Sequence, residues 1–219
     1  MSARVKEDAL VIYLKVEKKI ENVRAFLEYF DYLVGIKSYK KVTSTEVRDK
    51  DLIVFVTPEN YKLEPDTLLA EVVNLALNSG TTILTLGDLN STIVNDLIGY
   101  KIDLIDGHFL EENQVHNIVD INDEEYYIPS RHISTLDLQD VNFYESSSST
   151  SKHNLIEVVC VSPIQENSKL EVEIFMMKTF NYLGVYGAPE LFFSDGGGGS
   201  NKISKSILSY IDVLLTELK

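Results

Sequence analysis

The chain contains one thiol, Cys160, and the residues around it indicate packing rather than catalysis. It stands between Val159 and Val161 in a run that predicts a strand, and cysteines in such strands are usually small hydrophobic side chains. A single cysteine also excludes an internal disulfide and a metal site built from several cysteines. Neither Gly-x-Ser-x-Gly nor Gly-x-Cys-x-Gly occurs in the sequence. The sequence therefore predicts no nucleophile at a sharp strand-to-helix turn.

All the histidines lie in the polar middle of the chain: His108, His116, His132 and His153. His108 and His116 follow no short metal-binding spacing such as His-x-x-x-His. The segment Asp120-x-Asn122-x-Glu124 resembles a calcium loop, but it lacks the central glycine and the distal glutamate. No glycine-rich phosphate loop follows the first predicted strand. We therefore predict no bound metal and no cofactor.

Carboxylates at the ends of predicted strands are the remaining groups that could do chemistry. Asp88 stands in the turn Gly87-Asp88-Leu89-Asn90, directly after the predicted strand Thr81–Leu86. Asp106 and Glu190 also follow predicted strands, and functional groups in open α/β sheets gather at strand ends. Paired there, such carboxylates could serve a hydrolase or transferase, or hold a metabolite. This enzyme or ligand-binding role is the alternative to the function that a family resemblance implies below.

Composition and charge narrow the possible partners. The chain has 219 residues, 44% of them hydrophobic and 25% charged, which fits one globular domain. The formal net charge of −14 argues against sequence-independent binding to nucleic-acid phosphates. Apolar runs are far shorter than the roughly twenty residues of a membrane span, and charges from Lys6 to Asp8 interrupt any signal-like core. We expect no nucleic-acid partner, no membrane insertion, and a cytoplasmic location (the ER lumen if a leader has been removed).

Short strands alternate with helices from residue 9 to about residue 106. We predict strands at Ala9–Leu14, Ser38–Val47 (a weak edge strand), Asp51–Thr57, Thr81–Leu86 and Lys101–Ile105. We predict helices over Ile20–Val34 with Gly35 as the stop, over Pro65–Gly80, and over Ser91–Ile98. Strand–helix–strand units in this order produce right-handed crossovers and a parallel sheet covered by helices.

The second half of the chain is organised differently. Residues 106–152 are polar and indicate loops, with Ser146–Ser151 as a linker or loop tip. We predict antiparallel or mixed strands at Leu155–Ser162, Leu170–Lys178 and Tyr182–Tyr186. Residues 1–195 then form a single α/β domain, and 196–200 is a Gly-Gly-Gly-Gly-Ser linker of the kind used in engineered proteins. Residues 201–219 form an amphipathic helix that covers the same domain, or alternatively a partner's peptide fused through the linker.

Two segments resemble the catalytic segments of class I glutamine amidotransferases. In that family a strand leads into Gly-x-Cys-x-Gly, and a later segment reads Gly-Val-Gln-Phe-His-Pro-Glu. Here Thr82–Leu89 places Gly87 where the cysteine would stand, and Gly184–Glu190 reads Gly-Val-Tyr-Gly-Ala-Pro-Glu. Ala188 therefore replaces the histidine, whereas Glu190 is retained. Without thiolate and imidazole, the resemblance implies a framework that has lost its acyl-transfer chemistry.

The chain more closely resembles the GIFT domain, the non-catalytic offshoot of that fold found in the 48-kDa oligosaccharyltransferase and 52-kDa intraflagellar transport protein families. The resemblance rests on Tyr186–Asp195 followed by a polar loop and an amphipathic helix, and on the upstream order of Asp51–Phe55, a helix ending at Gly80, and Thr82–Leu84. It implies a flavodoxin-like or class I amidotransferase-like α/β fold, with a mostly parallel central sheet flanked by helices and mixed strands in the second half.

The role implied by this resemblance is assembly: a non-catalytic scaffold domain that presents surfaces to other subunits of a large complex. Large amphipathic rings are favoured at the centres of protein interfaces. The aromatic pairs that could serve as anchors are Tyr126 and Tyr127, Phe143 and Tyr144, and Phe192 and Phe193. Packing of each pair beneath a loop is the simpler interpretation, and both remain open from the sequence.

Overall fold

Strands provide most of the architecture in the computed structural model. The structure describes residues 6–14, 20–57, 67–87, 93–99, 102–110, 114–121, 124–129, 141–145, 157–163, 174–187 and 201–218. The strands are β1 (Glu7–Tyr13), β2 (Tyr32–Ser38), β3 (Leu52–Val56), β4 (Thr82–Gly87), β5 (Ile102–Leu110), β6 (Gln114–Ile121), β7 (Glu124–Pro129), β8 (Val141–Glu145), β9 (Glu157–Pro163), β10 (Ile174–Lys178) and β11 (Tyr182–Gly187). The helices are α1 (Ile20–Tyr29), α2 (Ser44–Arg48), α3 (Thr67–Ser79), α4 (Ile93–Ile98) and α5 (Asn201–Glu217), with a short 3-10 turn at Tyr39–Lys41.

The larger sheet has eight strands in the order β2-β1-β3-β4-β11-β10-β9-β8. The first five are parallel to one another, whereas β10, β9 and β8 extend the sheet through antiparallel pairs. The order of the parallel strands is the 2-1-3-4-5 arrangement of flavodoxin-like folds, with β11 as the fifth strand. The predicted fold class is therefore confirmed, including the mixed strands of the second half.

Two buried clusters lie on opposite faces of this sheet. One joins β1, β3, β4 and β11 to α1 and α5 through residues such as Val11, Leu27 and Ile211. The other joins the same strands to the 3-10 turn, α2, α3 and α4 through residues such as Phe55 and Leu69. Every residue of β3 is buried, because helices cover both of its faces, as is typical of a parallel sheet. Full burial of one such large apolar side chain stabilises the fold by about 1.5–3 kcal/mol.

The first helix is shorter than its apolar stripe predicts. It ends at Tyr29, and the chain reverses through Phe30 and Asp31, whose φ is 68°. Gly35, predicted as the helix stop, instead lies inside β2 opposite Leu10. The edge strand predicted at Ser38–Val47 is also wrong in position, because β2 ends at Ser38 and the 3-10 turn and α2 follow. The predicted helix was too long because Phe30 and Val34 continue its helical spacing across the turn.

The strand predicted at Lys101–Ile105 exists as β5, but it does not join the parallel sheet. It begins a separate antiparallel sheet with the order β5-β6-β7. The prediction of a loop-rich region over residues 106–152 is therefore wrong for β6, β7 and β8. Polar residues are compatible with these strands because an antiparallel sheet can leave one face in water. Ser146–Ser151 and residues 196–200 lie outside the described part of the chain.

Candidate functional site

The two segments that resemble amidotransferase motifs form neighbouring strands. β4 contains the first segment and β11 the second, and the two pair in parallel with Gly87 opposite Tyr186. Both strands therefore end at the same, carboxyl edge of the sheet, where ligand sites of open α/β folds lie. Gly87 is buried as the last residue of β4. Asp88, Ala188 and Glu190 follow these strand ends and lie outside the described residues.

A buried polar group lies along β4 and β11 below this edge. The hydroxyls of Tyr182 and Tyr186 share a hydrogen bond of 2.6 Å, and both side chains are fully buried. Gly184 stands between them, and a β-carbon at Gly184 would lie 2.6 Å from the Tyr182 Oη. Thr85 is the register partner of Gly184, and its buried Oγ1 has no hydrogen-bond partner among the described residues. Uncharged hydroxyls fill this part of the interior.

Sequence reasoning missed this group because none of its members belongs to a catalytic motif. The available signal was the alternation Tyr182-x-Gly184-x-Tyr186, since residues two apart in a strand share one face. Glycine at the middle position removes the side chain that would separate the two rings. The arrangement fits close packing around an internal hydrogen bond rather than an exposed acid or base.

The sheet order reverses between β1 and β3, where flavodoxin-like folds bind ligands outside the strand ends. At this point the described contacts belong mainly to the backbone. The Leu14 N–H, after β1, donates to the Val56 carbonyl of β3 at 3.3 Å, and on the other side of β3 the Thr57 N–H donates to the Leu86 carbonyl of β4 at 2.9 Å. The Thr57 hydroxyl also donates to that carbonyl, at 3.3 Å. These bonds tie the ends of adjacent strands together.

Asp106 does not end a parallel strand, contrary to its predicted position. It lies within β5, which continues to Leu110 in the antiparallel sheet. The β5–β6 register shifts between Ile105 and His108, and this bulge contains Asp106. Asp106 was expected to pair with Asp88 because both residues were predicted to follow strands of one parallel sheet. The position of Asp106 within β5 removes that reason.

The remaining chemistry-bearing residues fall on the antiparallel strands. His108 of β5 is the direct register partner of His116 of β6, whereas His132 and His153 lie outside the described residues. Cys160 lies in β9, opposite Phe175 of β10 and Tyr144 of β8, so its prediction as a strand residue is confirmed. Among the residues whose side chains the structure describes, no three His, Cys, Asp or Glu side chains group as a metal site would require.

Four of the six candidate aromatic anchors lie on two strands that contact each other. Tyr126 and Tyr127 belong to β7, and Phe143 and Tyr144 belong to β8. Within the described residues β7 pairs with β6 alone and β8 with β9 alone, so each is the edge strand of its sheet. Neighbouring residues in a strand occupy opposite faces, so each pair contributes one aromatic residue to each face. Phe192 and Phe193 lie outside the described residues.

An open cleft of about 530 Å³ lies near the amino-terminal ends of β1 and β2. Four of the charged side chains along it form two ion pairs: the Arg24 Nε lies 2.8 Å from Glu28 Oε1, and the Lys50 Nζ lies 3.5 Å from Asp8 Oδ2. The cleft is at the opposite end of the parallel strands from Gly87. No helix among the described residues combines the length and the apolar character needed to span a membrane.

No protein-family model and no curated protein sequence matches the chain. Solved structures similar to it include a protein assigned as one of the subunits of GMP synthase in Thermoplasma acidophilum, with 12% sequence identity, a TM-score of 0.47, and coverage of 96% of this chain and 98% of that chain. PurLQS from Thermotoga maritima is similar at 15% identity with a TM-score of 0.44, over 94% of this chain and 100% of that chain. Because both TM-scores are below 0.5, the fold is defined here by its strand order, and neither structure supports an activity.

Proposed function

We propose that this chain is a non-catalytic, GIFT-type scaffold domain of one subunit in a larger multi-protein complex. The observation that carries the proposal is Gly87, a buried residue without a side chain at the carboxyl end of β4, beside β11. The resemblance assigns a nucleophile to this position. Formation of an acyl-enzyme intermediate needs a thiolate and a base that activates it, and glycine supplies neither.

The second amidotransferase segment supports the same conclusion. Tyr186 lies opposite Gly87, and two residues further on the sequence has Ala188 in place of the family's histidine. Beneath the strand ends, the hydrogen-bonded side chains of Tyr182 and Tyr186 fill the interior. A retained Glu190 without thiolate and imidazole cannot hydrolyse glutamine.

The contacting edge strands β7 and β8 are the surface that we expect partners to use. Each carries an adjacent aromatic pair, and aromatic residues are enriched among the residues that dominate binding energy. Edge strands also leave one row of backbone donors and acceptors available to a strand from another chain. Both features favour protein partners over a small-molecule substrate.

Purification of the tagged full-length protein from its natural source, followed by size-exclusion chromatography and mass spectrometry, tests the scaffold role. We expect a stable assembly of constant composition. Tyr126→Ala and Phe143→Ala should reduce its recovery, whereas Tyr29→Ala should not, although Tyr29 is an exposed tyrosine on α1. Elution of the protein as a solitary monomer, or equal losses for all three variants, would contradict the proposal.

Enzyme assays separate this proposal from the carboxylate alternative. We expect no glutamine hydrolysis above the uncatalysed rate, and we expect Asp88→Ala and Glu190→Ala to leave assembly recovery unchanged. Turnover that falls about tenfold or more in either variant would instead support a hydrolase. A metabolite that raises the melting temperature of the wild-type protein but of neither variant would support a ligand-binding module.

A further inference from the structure

The strand β2 is an open edge of the larger sheet. Among the described residues it pairs with β1 alone, so its second row of backbone donors and acceptors is available for pairing. Leu33 in this strand is 52% exposed, and Gly35 is exposed as well. The open cleft of about 530 Å³ is lined in part by Leu33, Val34 and Gly35. An added strand therefore meets unpaired backbone groups, an exposed apolar side chain and the space to approach them.

The lysine of this strand does not guard the edge. Lysine side chains on edge strands usually discourage pairing with another chain, because an incoming strand would bury their charge. In β2, however, Lys37 forms a hydrogen-bonded ion pair with Glu46 of α2. The ammonium group is thereby held on its own chain and its charge is compensated. A second strand can approach β2 without facing an unbalanced positive charge at this position.

Opposite charges stand at the two ends of β2. Asp31 directly precedes the strand and is exposed, and the exposed residues Lys40 and Lys41 follow it in the 3-10 turn. When two β2 strands pair antiparallel, the start of each strand lies beside the end of the other, so that Asp31 approaches the two lysines of the opposite copy. Parallel pairing would place like charges together, which is unfavourable. The charge pattern is therefore complementary to itself in the antiparallel orientation.

From these features we propose that two copies of this chain associate through antiparallel pairing of their β2 strands, which joins their two large sheets into one. A two-fold axis beside Gly35, the central residue of β2, relates the copies. This axis places Leu33 opposite the partner's Lys37, whose alkyl chain covers the exposed leucine. Two-fold contacts of this kind close at two copies, as in most homo-oligomers. The surface is separate from β7 and β8 and does not depend on the scaffold role.

Sedimentation velocity of the full-length protein over a concentration series tests the association. Physiological ionic strength is needed because the net charge of −14 on each copy causes repulsion when it is unscreened. We expect a reversible monomer–dimer equilibrium. Leu33→Lys adds an unpaired charge to the interface and should weaken the dimer by about tenfold or more. Val213→Lys is the matched control, because Val213 is 50% exposed on α5, and it should leave the dimer unchanged. A monomer at every concentration, or equal effects of the two substitutions, would overturn the proposal.

The charged strand ends test the orientation of the two copies. Lys40→Glu combined with Lys41→Glu should weaken the dimer, because the new carboxylates face Asp31 of the partner subunit. Asp31→Asn retains a side chain that tolerates the positive φ of this position. It should weaken the wild-type dimer but strengthen the dimer of the double variant. Glu71→Gln, at an exposed position of α3, is the control and should affect neither dimer. An effect of Asp31→Asn with the same sign in both backgrounds would show that the strand ends do not meet.

Hydrogen–deuterium exchange of the wild-type protein needs no substitution and therefore does not depend on the folding of a variant. A higher protein concentration should slow exchange in β2 and leave β3 and β4 unchanged, since only β2 gains a strand partner. Dissociation of the dimer uncovers this edge without unfolding the domain, so β2 should still exchange faster than β3. Exchange in β2 that is independent of protein concentration would contradict the proposal.

Discussion

Gly184 leaves almost no room for a side chain among the described residues around it. A β-carbon there would lie 2.6 Å from the Tyr182 Oη, 2.7 Å from the Tyr186 Cε2 and 2.9 Å from the Tyr186 Oη. Gly184→Ala must therefore separate the two buried rings and disturb their hydrogen bond. We expect a loss of about 1–3 kcal/mol in the free energy of unfolding, the usual cost of overpacking a core, measured by urea denaturation.

Gly35→Ala is the matched control for this prediction. Gly35 also lies in a parallel strand, but a β-carbon there would be 3.5 Å from its nearest neighbour, Leu10 Cδ1. That distance is ordinary van der Waals contact, so we expect a change within about 0.5 kcal/mol, as for most surface substitutions. Equal destabilisation by the two substitutions would mean that the loss of glycine, rather than the tyrosine contact, sets the effect.

Glu46 gives the fold a predictable acid sensitivity. Its hydrogen bond to Lys37, together with hydrogen bonds from Thr43, lowers the pKa of Glu46 from 4.5 to about 2. A carboxyl whose pKa is lowered by folding stabilises the native state above its unfolded pKa, and this contribution is lost as pH falls through the folded value. Stability should therefore decline between about pH 4.5 and pH 2 as Glu46 becomes protonated.

Urea denaturation of Glu46→Gln and the wild type over this pH range checks the linkage. The difference between their denaturation midpoints should be largest near neutral pH and should shrink as the pH approaches the folded pKa of about 2. Lys37→Gln, which removes the main cause of the shift, should show the same convergence. A difference that stays constant with pH would show that Glu46 contributes through packing alone.

At the scale of elements, substitutions in α5 test whether this helix forms part of the core of the domain. Ile211, Leu214 and Leu215 are buried in the cluster that also contains residues of β1, β3 and α1. Ile211→Ala should cost about 2–4 kcal/mol because it removes buried apolar volume. Val213→Ala, at a side chain that is 50% exposed, should change stability little. Similar small effects for both substitutions in chemical denaturation would favour a helix that merely rests on the domain.

The parallel elements could be predicted because local and tertiary signals agree there. The apolar run at Asp51–Thr57 became β3, and the helix predicted to end at Gly80 became α3, where Gly80 has a φ of 74° suited to a helix C-terminus. Prediction and structure disagree where the helical spacing of one element continues into the next. Val34, for example, continues the spacing of α1 although it lies in β2. There the pairing of β2 with β1 determines the structure.

Pairing between distant elements was the part that the sequence could not supply. The spacing of His108 and His116 excludes a site within one helix turn, yet the pairing of β5 with β6 makes them direct partners. Likewise, the resemblance identified the Gly87 and Gly184–Glu190 segments, but only the sheet order shows that their strands are neighbours. Contacts of this kind depend on register, which residue types alone specify weakly.

For the whole molecule, the sheet order predicts an uneven distribution of local stability. β3 and β4 are buried throughout and have strand neighbours on both sides, whereas β2 forms an edge and exposes Leu33 and Gly35. Amides in strands buried on both faces open only in large unfolding events. Hydrogen–deuterium exchange with peptide mass spectrometry should therefore be slowest in β3 and β4 and faster in β2. Protection of β2 equal to that of β3 would indicate that another part of the chain covers this edge.

The position of β11 also affects how the chain folds during its synthesis on the ribosome. Ile83 must pair with Tyr182, so the inner edge of β4 has no strand partner until the distant strand β11 has been translated. Nascent chains with such open apolar edges are prone to aggregation. We therefore expect synthesis of this protein to rely on chaperones, and truncated products that end before β11 to be insoluble.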